Sequence, residues 1–128
     1  MRGHSQLSRL WLAIGGLSGA MAVGFGAYAA HGLADNPQAT LWVEKACRYQ
    51  MYHALALVLV SILQRDGGRL TALAGGLFVA GTLFFCGALY ALALTSLSVA
   101  WVAPYGGSSF ILGWLALVLA ALRRRGGI

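Results

Sequence analysis

The chain has 128 residues, of which 59% are hydrophobic and 9% carry a charge. A water-soluble domain typically carries about 25% Asp, Glu, Lys and Arg, so this composition excludes an ordinary soluble domain. The formal net charge of +6 would favour nucleic-acid binding in a soluble protein. Here the basic residues lie between and around long apolar stretches, where they indicate orientation in a membrane instead.

Four long apolar stretches predict four membrane-spanning helices. They lie at residues 10–30, 46–63, 70–94 and 108–122. A hydrocarbon core about 30 Å thick takes about 20 helical residues to cross, so the short fourth stretch spans only if its helix begins earlier, near Tyr105, or if the bilayer thins locally. The stretches do not alternate in polarity, as barrel strands would. We predict an all-α integral membrane four-helix bundle that forms a single domain over residues 1–128.

The first stretch also has features of a secretory signal. Arg2 and Arg9 precede it, and Ala27-Tyr28-Ala29 is similar to an A-x-A cleavage site. A signal core, however, has only about 7–15 apolar residues. The run at residues 10–30 is longer, and its glycines suit a helix that packs on its neighbours, so we expect a membrane span.

The distribution of basic residues predicts the orientation of the bundle. Seven arginines lie on one side: Arg2, Arg9, Arg65, Arg69, Arg123, Arg124 and Arg125. Lys45 and Arg48 lie on the other. Because cytoplasmic segments carry the excess of Lys and Arg, we expect both termini in the cytoplasm and the 30–40 and 95–107 connections outside. The expected location is a bacterial inner (plasma) membrane.

Small and cap-forming residues predict helix ends and helix contacts. Gly32 suits the left-handed position that follows a helix, and Asn36-Pro37 is typical of a helix start. Small residues recur at intervals that let membrane helices approach closely, and the expected packing residues are Gly15, Gly19, Gly24, Ala72, Gly76 and Ala80. We expect them to hold this bundle together; the alternative is that one stripe is a face between copies of the chain.

Polar residues inside membrane helices are costly, which makes them candidates for function. Gln50 and His53 are three residues apart and share a helix face. Tyr49 adjoins that face, and His31 ends the first span on the same outer side. The full candidate ligand-binding cluster is His31, Tyr49, Gln50, His53, Tyr90, Pro104, Gly106 and Gly107, with residues 104–107 as a lid.

Three interpretations of this cluster remain open. In the first it is structural, and Gln50 and His53 form hydrogen bonds across the bundle, for instance to Tyr28, Tyr90 or Ser108. In the second it lines a pocket, open to the outer leaflet, for a ligand, a lipid headgroup or a permeant. In the third His31 and His53 ligate haem or a metal. Two residues are too few for a protein-only zinc site, so we expect no metal and no cofactor.

The remaining reactive residues give little support for catalysis. Asp35, Glu44 and Asp66 are the only acids and lie in or beside loops, which argues against a proton-coupled carrier. Cys47 and Cys86 are expected to be packing residues rather than a disulfide. Neither a glycine-rich phosphate loop nor a G-x-S-x-G elbow occurs. We therefore expect no enzyme and no catalytic residues.

The expected function is that of a non-enzymatic accessory or binding protein. The alternative is an oligomeric small-solute transporter or channel subunit, since four helices are few for a pore of their own. The expected partners are membrane lipids and either a second copy or another membrane protein, without nucleic acid.

Four local patterns carry a resemblance to a known family. They are Gly26–Leu33; Trp42 with Tyr49-Gln50-Met51 and His53-Ala54; Phe85, Gly87, Leu89-Tyr90 and Leu92–Thr95; and Pro104, Gly106-Gly107 and Gly113-Trp114. In order and spacing the chain resembles the transmembrane protein 256 family, the domain-of-unknown-function 423 group of small membrane proteins. It departs from the family pattern at Ala88, Ala103 and Tyr105. The resemblance implies a four-span membrane protein without an established biochemical activity.

Overall fold

The computed structural model describes residues 2–123, and every regular element in that range is helical. The α-helices are α1 (Arg2–Gly32), α2 (Pro37–Leu63), α3 (Arg69–Gly81), α4 (Gly87–Leu94) and α5 (Ala103–Arg123). A π-helical segment, Thr82–Cys86, joins α3 and α4 into one continuous helix. Short 3-10 turns lie at Gln64–Asp66 and Ala100–Val102.

Four helical stretches are long and apolar enough to cross a membrane. They are Gln6–Gly32, Pro37–Asp66, Arg69–Leu94 and Ala100–Arg123. This confirms the prediction of an all-α membrane bundle with four spans. The helix of the fourth span, α5, begins at Ala103, five residues before the apolar stretch at 108–122. These residues supply the length that the stretch alone lacks for crossing the membrane.

One predicted helix boundary is confirmed and one is wrong. Asn36 caps α2, because its side-chain oxygen accepts a hydrogen bond from the backbone N–H of Ala39 at 3.1 Å. Gly32 is the last residue of α1 and does not adopt a left-handed conformation. Among the described residues, positive φ occurs at Gly67 (81°) and Gly68 (111°), in the tight turn between α2 and α3.

The bundle is organised around α2. Helix α1 packs along α2, α5 packs along α3, and α2 also contacts α3 and α4. We call the end with the α2–α3 turn the terminal end, because α1 begins and α5 finishes there. The opposite end, with the α1–α2 and α4–α5 connections, is the loop end. The largest fully buried apolar side chains, Phe78, Leu57, Val43 and Val60, lie on α2 and α3.

A buried glutamine closes the terminal end. Gln64 is 1% exposed, and its side-chain oxygen accepts a hydrogen bond from the indole N–H of Trp11 at 2.9 Å. Its amide nitrogen donates to the carbonyl of Gly68 at 3.2 Å. Because both functional groups are satisfied, the buried amide stabilises the turn instead of destabilising it. This polar contact joins α1 to the α2–α3 connection.

Only some of the six small residues predicted to pack at helix contacts do so. Gly15 and Gly19 lie against α2, where a Cβ on Gly15 would come within 2.9 Å of the Ala54 carbonyl oxygen. Ala72 and Ala80 are half-buried. A Cβ on Gly24 or Gly76 would meet no atom of the described chain within 4 Å, so these two do not pack within the bundle. A face between copies of the chain stays a prediction.

The close contacts inside the bundle are instead made at other glycines, three of them by aromatic rings and the fourth by the backbone of Phe85. The ring of Trp11 lies over Gly75, Phe110 over Gly81, Phe78 over Gly113, and Phe85 beside Gly106. A Cβ at any of these four glycines would come closer than 3.0 Å to the aromatic residue. Because glycine has no side chain, the neighbouring helix can pack directly on it, which brings the helix backbones close together.

Candidate functional site

The predicted polar cluster is divided between two cavities on different sides of α2. The aromatic cleft lies between α2 and α5 at the loop-end half and has a volume of about 660 Å³. Its lining residues are Tyr49, Tyr52, His53, Phe85, Pro104, Gly107, Ser108, Phe110, Ile111 and Trp114. The inner cavity, of about 240 Å³, lies where α1, α2 and the continuous α3–α4 helix meet; its polar lining residues are Ser18, Gln50, Thr82, Cys86 and Tyr90.

The eight predicted cluster residues therefore do not form one site. Four of them line the aromatic cleft: Tyr49, His53, Pro104 and Gly107. Gln50 and Tyr90 line the inner cavity, and His31 is exposed at the end of α1 and lines neither. The prediction that residues 104–107 form a lid is wrong, because they are the first turns of α5 and Gly106 is buried against Phe85.

His53 is held by hydrogen bonds at both ring nitrogens. Its Nδ1 lies 2.7 Å from the carbonyl oxygen of Tyr49, and its Nε2 lies 3.1 Å from the indole nitrogen of Trp114. A carbonyl only accepts and an indole N–H only donates. The hydrogen therefore sits on Nδ1, and Nε2 accepts from Trp114. The partner is Trp114 and not one of the residues expected from sequence.

This arrangement bears directly on the haem or metal interpretation. The Nε2 lone pair, which a metal would need, is used by Trp114, and the exposed His31 does not line the same cleft. Among the described residues no group of three or more His, Cys, Asp or Glu side chains is placed to hold an ion. His53 is a neutral, fully bonded imidazole, 4% exposed.

Aromatic stacking makes the floor of the cleft rigid. The His53 ring stacks on Phe110 with centroids 3.6 Å apart and planes 8° from parallel. Phe78 and Trp114 contact His53 at centroid distances of 5.4 and 5.9 Å. Aromatic pairs of this kind contribute about 0.5–1.5 kcal/mol each beyond their burial. The cleft is therefore a preformed surface.

Sequence reasoning found Pro104 and Gly107 on the α5 side of this site but missed its aromatic residues. Phe110 and Trp114 were not among the candidates, and Trp114 entered only as part of a family pattern. One signal was available: Gly106, Phe110 and Gly113 follow the i, i+4, i+7 spacing of a single helix face. That spacing marks the face of α5 that packs on the bundle.

Two phenol hydroxyls are available at the cleft. Tyr49 and Tyr52 are 36% and 52% exposed, and their rings meet edge to face at 5.7 Å. Neither hydroxyl bonds to another group in the part of the chain that the structure describes. The nearby Ser108 hydroxyl is already used, since it donates to the carbonyl of Pro104 at 2.9 Å. The cleft thus offers an apolar floor with two free donors at its edge.

On the other side of α2, the predicted bond across the bundle is confirmed for Gln50. The hydroxyl of Tyr90 lies 2.5 Å from the Gln50 side-chain oxygen and 3.5 Å from the Cys47 sulfur. A phenol has one proton to donate, so it goes mainly to the closer amide oxygen, and the Cys47 sulfur is the more distant acceptor. Cys47 and Cys86 are both free thiols.

The described part of the chain defines a multi-pass, all-helical membrane protein with a preformed aromatic cleft. The chain belongs to the protein of unknown function (DUF423) family, whose model matches residues 25–107. That match confirms the resemblance drawn from the sequence. It includes His53, Gln50 and Tyr90 and stops before Phe110 and Trp114.

Relatives over nearly the whole chain come from several bacteria. The UPF0382 membrane protein SAB0533 of Staphylococcus aureus is 40% identical over 122 residues, which cover 92% of this chain and 99% of the relative. The UPF0382 membrane protein YwdK of Bacillus subtilis is 37% identical over 120 residues, covering 90% and 98%. A UPF0382 membrane protein of Haemophilus influenzae is 33% identical over 118 residues, covering 90% and 95%. No solved structure matches the chain.

Proposed function

We propose that this protein is a non-enzymatic lipid-binding protein of the bacterial inner membrane, and that the aromatic cleft binds the ester end of a phospholipid. The observation that carries the proposal is the combination of a preformed apolar cleft of about 660 Å³ with two unused phenol hydroxyls. An amphiphile fits such a surface because its chain covers the rings while its acceptors take the hydroxyls.

The depth of Tyr49 and Tyr52 in the membrane indicates which part of a lipid their hydroxyls can bind. The middle of the span Pro37–Asp66 lies near Tyr52, whereas the cleft extends to Pro104 in the first turn of α5, at the loop end. Helical side chains lean back towards the N-terminus of their helix, which for α2 is the loop end, so both phenols reach towards the headgroup boundary. Tyr rings are enriched at this boundary between headgroups and hydrocarbon, which is where phospholipid ester carbonyls lie. The phenols are thus placed to donate to those carbonyls.

The absence of free catalytic groups at the cleft supports a binding role. Both nitrogens of His53 are occupied by Tyr49 and Trp114. Ser108 donates to its own helix. A general base needs a free lone pair within reach of substrate, and apart from the two weakly basic phenols no side chain of the cleft offers one.

Lipid retention measured by native mass spectrometry tests this function. We expect the Tyr49→Phe/Tyr52→Phe double variant to retain phosphatidylglycerol about thirtyfold less well than the wild type, since each of the two lost hydrogen bonds is worth about 1 kcal/mol. Fold stability stays unchanged, because neither hydroxyl bonds to the protein. Tyr28→Phe is the matched control, since Tyr28 is also half exposed but lies on α1. Equal retention by all three proteins would exclude the cleft as the lipid site.

The orientation is part of the same proposal: both termini lie in the cytoplasm. The count of seven arginines in the segments predicted to be cytoplasmic, against Lys45 and Arg48 on the other side, supports it. We expect a green fluorescent protein fused to the C-terminus to fluoresce and alkaline phosphatase at the same point to be inactive. Alkaline phosphatase inserted after Asp35, in the α1–α2 connection, is expected to be active. The reverse pattern of activities would mean that the bundle has the opposite orientation in the membrane.

A further inference from the structure

The inner cavity opens to the membrane and not to water. Helix α1 packs mainly on α2, and two aromatic residues of α1 contact the α3–α4 helix. The Trp11 ring lies over Gly75 towards the terminal end, and Phe25 meets Tyr90 at 4.5 Å towards the loop end. Between these contacts the two helices leave a lateral window. Its rim is formed by exposed apolar side chains, among them Leu17 and Leu83.

Polar groups without protein partners line this apolar cavity. The hydroxyl of Ser18 is buried, with the residue 6% exposed, and makes no hydrogen bond. Gln50 is 3% exposed; its oxygen accepts from Tyr90, while its amide nitrogen donates to no group of the described chain. The buried Ser18 oxygen, which has no partner, costs free energy, whereas the Gln50 amide nitrogen keeps some accessible surface. What both groups can offer to an occupant is an N–H or O–H donor.

The third wall of the cavity is the π-helical segment. Thr82 and Cys86 bound this segment and both line the cavity. The Thr82 hydroxyl donates back to the carbonyl of Phe78 at 2.9 Å, so it is satisfied within its own helix. Single π-helical turns inside α-helices occur frequently at functional sites. The segment here widens the helix where the cavity forms.

The two unused donors lie at different depths. A Cβ on Gly15 or Gly19 would face Ala54, so Ser18 is level with that part of α2, four residues from Gln50. Four residues correspond to about 6 Å along the helix axis. Ser18 is also one residue from the centre of the apolar span Gln6–Gly32, near the middle of the bilayer. Phospholipid ester carbonyls stay at the edge of the core, about 15 Å away, and cannot reach Ser18.

We propose that the inner cavity is a binding site for a lipophilic ring with two carbonyl oxygens, a molecule of the quinone class. One carbonyl accepts from the Gln50 amide, and the other accepts from the Ser18 hydroxyl after its buried side chain rotates towards the cavity. Acceptors on opposite sides of a six-membered ring match two donors separated along the helix axis. A cavity of about 150 Å³ holds a benzene ring, so about 240 Å³ holds one or two fused rings. An apolar tail attached to the ring extends through the window between Leu17 and Leu83 into the membrane. This site is independent of the aromatic cleft.

The test uses the purified full-length chain in detergent with menaquinone-4, a naphthoquinone with a short isoprenoid tail. We expect the quinone to raise the unfolding temperature, because a ligand that binds only the folded state stabilises it. Ser18→Ala is expected to weaken quinone binding about fivefold, the worth of one hydrogen bond. Without ligand the same variant is expected to be as stable as the wild type or more so, because it loses a buried hydroxyl that has no partner.

Two controls separate this site from its alternatives. The Tyr49→Phe/Tyr52→Phe double variant removes the free hydroxyls of the aromatic cleft, so quinone binding that survives it supports the inner cavity. 2-Methylnaphthalene has the same fused rings without carbonyls and is expected to bind at least fivefold more weakly than the quinone. Equal binding by Ser18→Ala and wild type, or equal binding of the hydrocarbon and the quinone, would overturn the proposal.

Discussion

Replacing Gly106 with alanine is expected to destabilise the bundle by about 3 kcal/mol or more, at or above the top of the usual range for overpacking. A Cβ at this position would run into the backbone nitrogen of Phe85 and lie 2.7 Å from its Cβ and 2.8 Å from its Cα. A flexible side chain could move aside, but here the obstacle is the backbone of the π-helical segment. The two helices must separate, and the contacts around Phe110 are lost with them.

The neighbouring glycine provides the control. A Cβ on Gly107 would have its nearest neighbour, the Cδ1 of Phe85, at 4.0 Å, which is an ordinary contact. Both changes gain about 1 kcal/mol of helix propensity, so the difference between Gly106→Ala and Gly107→Ala isolates the helix–helix contact. Thermal unfolding in detergent, followed by size-exclusion chromatography, measures it. Equal unfolding temperatures would mean that α5 does not approach Phe85 as closely as described.

The features that depend on local composition could be predicted from the sequence. A span needs about 20 apolar residues, and that count is visible without knowing any neighbour. The start of α2 was equally readable, since Asn36 and Pro37 act on backbone groups within three residues. The early start of α5 was one of the two possibilities that the shortness of its apolar stretch raised, the other being a locally thinned bilayer.

The division of the polar cluster could not be predicted, because it depends on which helices surround α2. Residues three apart, such as Gln50 and His53, share a face but point about 60° apart, since each residue turns the helix by about 100°. On a central helix that difference is enough to direct Gln50 towards α4 and His53 towards α5. The 3.6-residue period says nothing about which neighbour stands at each angle.

Long-range contacts also decided the burial of Gln64 and the role of each glycine. A glutamine in a turn beside arginines is typical of an exposed position, but its burial depends on Trp11, 53 residues away in the chain. Gly75 and Gly76 are adjacent, yet the first lies under that tryptophan ring and the second has no neighbour. A pattern of small residues marks places where helices can approach and leaves open which of them are used.

His53 is the residue whose truncation within the aromatic cleft has the largest expected effect. His53→Ala is expected to cost about 3–5 kcal/mol of folding free energy, as for other buried aromatic rings. The change removes the ring that stacks on Phe110 at 3.6 Å and leaves the indole N–H of Trp114 without its acceptor. Loss of function in this variant would therefore reflect loss of the fold.

A phenylalanine ring at position 53 separates the contribution of ring packing to stability from the contribution of hydrogen bonding. His53→Phe keeps a flat ring against Phe110 and loses both polar contacts, so we expect a cost of only about 1–2 kcal/mol, the sum of two modest membrane hydrogen bonds. Trp114→Phe removes the same indole bond from the other side. The coupling between the two changes, measured by equilibrium unfolding of both single variants and the double, is expected to be about 0.6–1.7 kcal/mol. A coupling of zero would mean that Trp114 does not hold His53, and the preformed floor on which the lipid-binding proposal rests would lose its support.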